Sequence, residues 1–377
     1  MFRRRTSSLL FVASLVALPH LGARPLAAQR LAEAPAPARW ADAIEQGRLV
    51  VAEVMAEHGI PGLSVAVLVD GTVVWSEGFG YANLEHRIPV TPLTRLRIGS
   101  VSKPVTAAAL GKLVEEGRLD LDAPVQRYVP SFPQKRWPIT TRQLAGHLAG
   151  IRHYRGDEFY SRDRYETVLD GLRIFQDDSL LFEPGTRYVY SSYGWNLISA
   201  VIEGAAGEPF LAYMRREIFE PLGLRSIVAE HTDSIILHRA SYYERDRVTG
   251  RILNAPYVDN SYKWAGGGFI SNTEDLVRFG WAHLDGSFLR PETVELLFTP
   301  QRTKSGEATS YGLGWQSGRD SAGRRWVGHT GSSVGARAVL LVYPDHRLVV
   351  AALANLGTAP MSPEFAERLA APFMPGT

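Results

Sequence analysis

Ser100 and Lys103 stand three residues apart in Ile98-Gly99-Ser100-Val101-Ser102-Lys103-Pro104, ahead of the small, helix-compatible run Val105-Thr106-Ala107-Ala108-Ala109-Leu110. Residues i and i+3 share a helix face, so the hydroxyl and the amine can come within hydrogen-bond reach. Desolvation disfavours an ammonium, and a buried neutral lysine can activate a serine as a nucleophile. A helix start adds free N–H groups and positive potential, and Pro104 suits a first helical turn. A serine there can equally be an ordinary cap. The lysines argue for chemistry: of Lys103, Lys112, Lys135, Lys263 and Lys304, only Lys103 follows a serine by three residues.

Two other stretches could complete a site. Phe182-Glu183-Pro184-Gly185-Thr186 leads into Tyr188-Val189-Tyr190-Ser191-Ser192-Tyr193-Gly194, which puts a phenol on a loop before a helix. Near a lysine, Tyr190 is expected to have a lowered pKa and to act as general base or acid; the plain alternative is a packing tyrosine. Trp326-Val327-Gly328-His329-Thr330-Gly331-Ser332 gathers an imidazole, hydroxyls and backbone N–H groups at an expected strand edge. Such an edge can align an extended substrate or donate an N–H to an oxyanion; the plain alternative is a turn with a solvated histidine.

Elements at both ends of the chain must position these groups. Trp40–His58 carries apolar residues at helical spacing. Leu63–Val69, the Asp70-Gly71 turn and Thr72–Trp75 predict a β-hairpin. A loop then leads to the Ser100 helix, expected to reach about Gly117. From about 120 to 262 the strand signal is weak and prolines recur, which predicts a mostly helical insert, with helices at Thr141–His147, Tyr165–Phe175, Trp195–Ala206 and Pro209–Ile218. Helices at Thr273–His283 and Pro291–Phe298 precede strands at Gly312–Gln316, Arg325–Gly328, Ala336–Tyr343 and Leu348–Ala354, and a helix from Pro363 to Phe373 follows. Strands at both ends around a helical middle predict one antiparallel sheet, with the cleft between sheet and insert.

At 377 residues and 45% hydrophobic content, the chain can bury a large core. A formal charge of +2, with arginine scattered rather than clustered, gives no case for nucleic acid. Arg3-Arg4-Arg5 precedes the apolar run Leu9–Leu18, which reads as a secretory signal over 1–28, with cleavage after Ala28 favoured over Ala23 and an uncleaved anchor as the plain alternative, followed by a flexible lead-in over 29–39. The expected destination is the periplasm or the medium. With no cysteine, disulfides and a lipobox are excluded. No metal or nucleotide motif occurs, so no cofactor is implied, and no motif specifies an oligomeric state. Gly331-Ser332-Ser333-Val334-Gly335 matches a nucleophile elbow, but that motif needs a helix where Ala336–Tyr343 predicts a strand.

In this order and spacing, Ser100-x-x-Lys103, Tyr190-x-Ser192 and His329-Thr330-Gly331 resemble the serine beta-lactamase and penicillin-binding protein superfamily, in its class C-like branch. Within it, Arg142-Gln143-Leu144, His147-Leu148-Ala149-Gly150-Ile151-Arg152-His153-Tyr154 and the run from Asn254 to Phe269 resemble the family of the mitochondrial serine beta-lactamase-like protein and its bacterial relatives, over roughly Trp40 to Phe373. The resemblance implies an α+β, beta-lactamase/transpeptidase-like fold and a serine hydrolase acting on a peptide or a small acyl or ester substrate. It makes Ser100 the nucleophile, Lys103 its proton acceptor and Tyr190 the acid or base at the leaving group. His329, Thr330, Gly331 and Ser332 would orient substrate, with His329 carrying a pH-dependent charge, and the N–H groups of Ser100 and Ser332 would form the oxyanion hole. Asp259, Asn260 and Lys263 would shape the substrate pocket. Arg152 and His153 would lie near the cleft, where a structural loop role is the stronger reading.

Two departures from the family pattern stand out. Ser192 occupies the place where beta-lactamases of this branch carry asparagine, so it offers a substrate no amide, and weak beta-lactam hydrolysis is expected. The mitochondrial relative's long polar insertion after Gly-Ile-Arg-His-Tyr is absent, so its assembly behaviour is not implied.

Overall fold

A computed structural model describes residues 38–374. The signal over 1–28 and most of the lead-in lie outside the described residues, apart from Ala38 and Arg39, which open a short 3-10 turn.

The strands in chain order are β1 Gly62–Val69, β2 Thr72–Asn83, β3 Ile88–Pro89, β4 Leu96–Arg97, β5 Val228–Ala229, β6 Tyr243–Arg245, β7 Ile252–Asn254, β8 Phe269–Ser271, β9 Gln316–Arg319, β10 Arg325–Ser333, β11 Ala336–Tyr343 and β12 Leu348–Ala354. Seven form one antiparallel sheet in the order β3-β2-β1-β12-β11-β10-β9. The β1–β2 hairpin turns at Asp70 and Gly71, both at positive φ (48° and 78°), which is the backbone a two-residue turn requires. β1 pairs with β12, so the two ends of the chain meet in the middle of the sheet.

The central strands read as unbroken apolar runs because both faces are covered. Alternate residues of β11 enter opposite cores: Ala338, Leu340 and Val342 on one face, Val339, Leu341 and Tyr343 on the other. The helix Pro363–Ala370 covers the second face, beside α1 (Ala41–His58). The helix Thr273–Trp281 packs across β1, β11 and β12 on the first.

The largest differences from expectation involve glycine and tertiary burial. β2 runs on to Asn83 instead of ending at Trp75, through Gly78, where a Cβ would collide with the Val90 carbonyl region. The strand expected at Gly312–Gln316 begins only at Gln316; Leu313 and Trp315 are instead buried loop residues around Gly314 at φ 86°. Ser100 lies in a 3-10 turn, Gly99–Val101, and α2 (Ser102–Glu115) starts two residues later. Between α2 and β8 the chain forms α3 (Thr141–Ala145), α4 (Val168–Leu172) and α5 (Ser192–Ala206), then Phe210–Tyr213 running into a π turn, Met214–Phe219. Two of these helices, α3 and α4, are shorter than their periodicity suggested, while α5 starts three residues earlier; helices this short depend on tertiary packing.

A buried ion pair ties this helical region to the sheet. Arg97 Nε donates to Glu230 at 2.6 Å and its Nη1 donates to the Val334 carbonyl at 2.8 Å. Asn260 donates to the same carboxylate at 2.7 Å. Removing one partner of a buried pair strands the other, at a cost of about 3 kcal/mol or more. Arg97→Met is therefore expected to lower the unfolding free energy by that amount, read as a lower urea midpoint at unchanged slope, and adding Glu230→Leu should recover most of it. A single variant with wild-type stability would remove this pair from the account.

Candidate active site

α2, the loop before α5 and β10 converge on Ser100. The serine is half-buried, and Lys103, on the first turn of α2, is fully buried. Lys103 Nζ lies 2.9 Å from Ser100 Oγ, 3.2 Å from Ser192 Oγ and 2.8 Å from the Gly266 carbonyl. No carboxylate pairs with it among the described residues. Burial, with Lys263 adding repulsion, holds its pKa well below the usual lysine value. A neutral amine has two N–H donors and one lone pair, which fits the three contacts: donors to Gly266 and Ser192, and the lone pair facing the Ser100 hydroxyl.

The Tyr190 hydroxyl donates to Ser100 Oγ at 2.8 Å. Its expected lowered pKa is not found. Burial pushes it upward despite the hydrogen bond from Tyr190 to Ser100. Its ring packs 4.3 Å from His147 and 5.6 Å from His153, and the neighbouring Lys103, itself driven toward neutrality, offers little positive charge to stabilise a phenolate. Tyr190 is therefore a phenol at neutral pH, poised to donate.

β10 supplies the facing wall. β9 pairs with it only at 325–328, while β11 pairs as far as Ser333, so 329–333 has one edge free of sheet partners. His329, Thr330, Gly331 and Ser332 all line the cleft. Gly99, at φ 50°, lets the Ser100 turn meet this strand, since a Cβ there would lie 2.6 Å from the Ser332 carbonyl oxygen. A Cβ on Gly331 would run into the Ile98 carbonyl. These two close approaches bring the Ser100 and Ser332 peptides together.

His329 requires a correction. Its ring is buried, Nε2 lies 2.8 Å from the Tyr311 hydroxyl, and Nδ1 faces the Thr330 carbonyl. Burial, the largest cause, pushes its pKa down to about 3, so the expected switchable charge is absent and the imidazole is neutral throughout the usual histidine range. The two residues of the Arg152–His153 pair also part company. Arg152 pairs with Glu158 and Asp178 and is structural. His153 lines the cleft, and its Nδ1 accepts from the Ser192 N–H at 3.1 Å.

The cleft is about 640 Å³ and adds Tyr154, Phe159, Lys263, Gly266, Gly267 and the loop 359–363 to these walls. Of the pocket candidates, only Lys263 lines it; Asp259 accepts from Thr232, and Asn260 serves Glu230. Among the described residues no group of three or more His, Asp or Glu could hold a metal ion. Sequence reasoning missed Tyr311 and the role of His147, whose Nδ1 accepts from the Ser191 N–H behind Tyr190; neither lies in a local pattern that announces it.

A family model described as Beta-lactamase matches residues 48–372. The chain belongs to the beta-lactamase family. It is 35% identical over 400 residues to the mitochondrial serine beta-lactamase-like protein LACTB of Homo sapiens, covering 81% of this chain and 73% of the relative. It is 28% identical to penicillin-binding protein 4* of Bacillus subtilis, over 76% of this chain and 66% of that one. Among solved structures, the octameric penicillin-binding protein homologue from Pyrococcus abyssi superposes with a TM-score of 0.75 at 30% identity, covering 87% and 77% of the two chains. A D-stereospecific amidohydrolase from Streptomyces, at 24% identity and a TM-score of 0.74, covers 86% and 97% and shares the fold. Membership in this family makes the chain a beta-lactamase-fold serine hydrolase.

For a family member with His329 neutral, replacing that imidazole should change activity by a constant factor across pH. The ratio of His329→Asn to wild-type kcat/KM is expected to stay flat from about pH 5 to 8. A ratio that changes through the ordinary histidine midpoint would restore a charge to His329.

Proposed function

We propose that the protein is an exported serine peptidase that forms an acyl-enzyme on Ser100, with ester hydrolysis as the nearest alternative activity. The observation that carries this reading is the Ser100 oxygen held at 2.9 Å by an amine without a counterion and at 2.8 Å by a protonated phenol. Lys103 takes the Ser100 proton as Oγ attacks the substrate carbonyl carbon. The oxyanion forms toward the N–H groups of Ser100 and Ser332. As the carbon–nitrogen bond breaks, Tyr190 gives its proton to the leaving amine and is reprotonated from the Lys103 ammonium. Water then adds to the acyl-enzyme, its proton passing back through the same groups, and Ser100 is released. The free edge of β10 at 329–333 supports an extended substrate bound by its main chain.

Ser192 bears on the substrate. Its hydroxyl faces Lys103 rather than offering an amide to the cleft, which supports weak activity on beta-lactams. The export half of the proposal rests on Arg3-Arg4-Arg5 and the apolar run behind them, and a mature N-terminus at Gln29 by mass spectrometry tests it.

The enzymatic half is tested by fluorophosphonate labelling beside a peptide library, short-chain esters and a chromogenic beta-lactam. Wild type should carry the adduct on Ser100, Ser100→Ala none, and Lys103→Ala none with thermal stability retained. Tyr190→Phe should lose about a hundredfold or more in turnover, the scale of a positioned acid or base. Absence of any adduct on wild type would instead make the protein a substrate-recognising binder without turnover.

A further inference from the structure

Lys263 is 2% exposed, yet it lines the catalytic cleft. Its stem runs beside the backbone next to Ser100: Cδ lies 3.8 Å from where a Cβ on Gly267 would stand, and Gly267 in turn abuts Gly99. The ammonium sits among three aromatic rings, 4.5 Å from the centroid of Phe159, 5.0 Å from Tyr262 and 5.6 Å from Tyr154. It has neither a hydrogen bond nor an ion pair among the described residues. Ring faces soften the burial of a cation, but they give its N–H donors no protein acceptor, so an anion entering the cleft would be the first charged partner they meet.

The carboxylates nearby are already committed. Glu230 is held by Arg97 and Asn260. Glu158 is held by Arg152, Tyr193 and the Arg155 N–H. The Tyr154 and Tyr262 phenols of the cage are kept protonated by burial, and the remaining charged or titratable groups around Lys263 are cations or potential cations: Arg97, Lys103 and His153. Arg337, on the sheet wall of the same cleft, is tied to the carbonyls of Ser333 and Ala336.

We propose that Lys263, in its aromatic cage on the wall of the cleft, is the receptor for a carboxylate carried by the substrate. Selectivity for anionic substrates follows, because a neutral one leaves the ammonium unpaired. The proposal refines the hydrolase reading and rests on it for turnover, though not for binding. Burial and Arg97 push the Lys263 pKa down to about 7, against a raising effect of Glu230. The sign is then fixed: the receptor is charged below about pH 7 and lost above it.

The test compares two esters with one leaving group, the p-nitrophenyl esters of glutaric acid (one carboxylate free) and valeric acid. Changes that Lys263 transmits through Lys103 affect both and cancel in the ratio of their kcat/KM values. In wild type the glutaryl-to-valeryl ratio should fall between pH 6 and pH 8.5. At pH 6, Lys263→Met should lower it about tenfold or more, the worth of a charge-assisted hydrogen bond. Lys263→Arg should keep the preference and abolish its fall with pH. A ratio unchanged by Lys263→Met, or flat with pH in wild type, overturns the proposal. If neither ester is turned over, binding decides: calorimetry on Ser100→Ala should show glutarate but not glutaramide bound, with proton uptake at pH 8 and loss in Ser100→Ala/Lys263→Met. Equal binding of the two ligands, or of neither, overturns the receptor.

Discussion

Burying the Lys103 amine without a carboxylate is the constraint on which the site depends. An ammonium there would have to shed its hydration with only one carbonyl and two hydroxyls to replace it, so the structure favours the neutral amine. Much of the surrounding chemistry follows. Tyr190 keeps its proton because it is buried and its neighbour offers little positive charge. His147, His153 and His329 are all driven toward neutrality, chiefly by burial. The serine thus sits between one base and one acid, with no histidine titrating beside it near neutral pH.

The fold makes that constraint possible by packing the helical region against the sheet. The sheet, apolar on both faces, holds β10 as a fixed wall. The helical region supplies Tyr190, Ser192 and His153, and the Arg97–Glu230 pair fastens that region to the end of the sheet. Gly99 and Gly331 then let the backbones of the Ser100 turn and β10 approach to distances that a Cβ would forbid.

Local patterns were legible in the sequence, and long-range environments were not. Ser100, Lys103, Tyr190 and His329 could be selected because spacing and residue type announce them. β11 and β12 could be bounded to the residue because their apolar runs end at turns. The extension of β2 through Gly78 was hidden because its glycines carry no strand signal. Tyr311, which holds His329, and the cage around Lys263 come from segments far apart in sequence. The reversed expectations for Tyr190 and His329 have the same origin: a pKa depends on burial and on the protonation of neighbours, neither of which a motif encodes.

Lys103 is a neutral amine in the resting protein, and its own titration tests this most directly. Protein carrying lysine labelled at the ε-carbon can be followed by 13C NMR against pH, with the Lys103 resonance assigned by its loss in Lys103→Arg. The account predicts a midpoint well below the ordinary lysine value of 10.5, with the resonance in its neutral position where the enzyme is active. A Lys103 resonance that titrates at or above 10.5 would contradict the account and with it the role of Lys103 as the base.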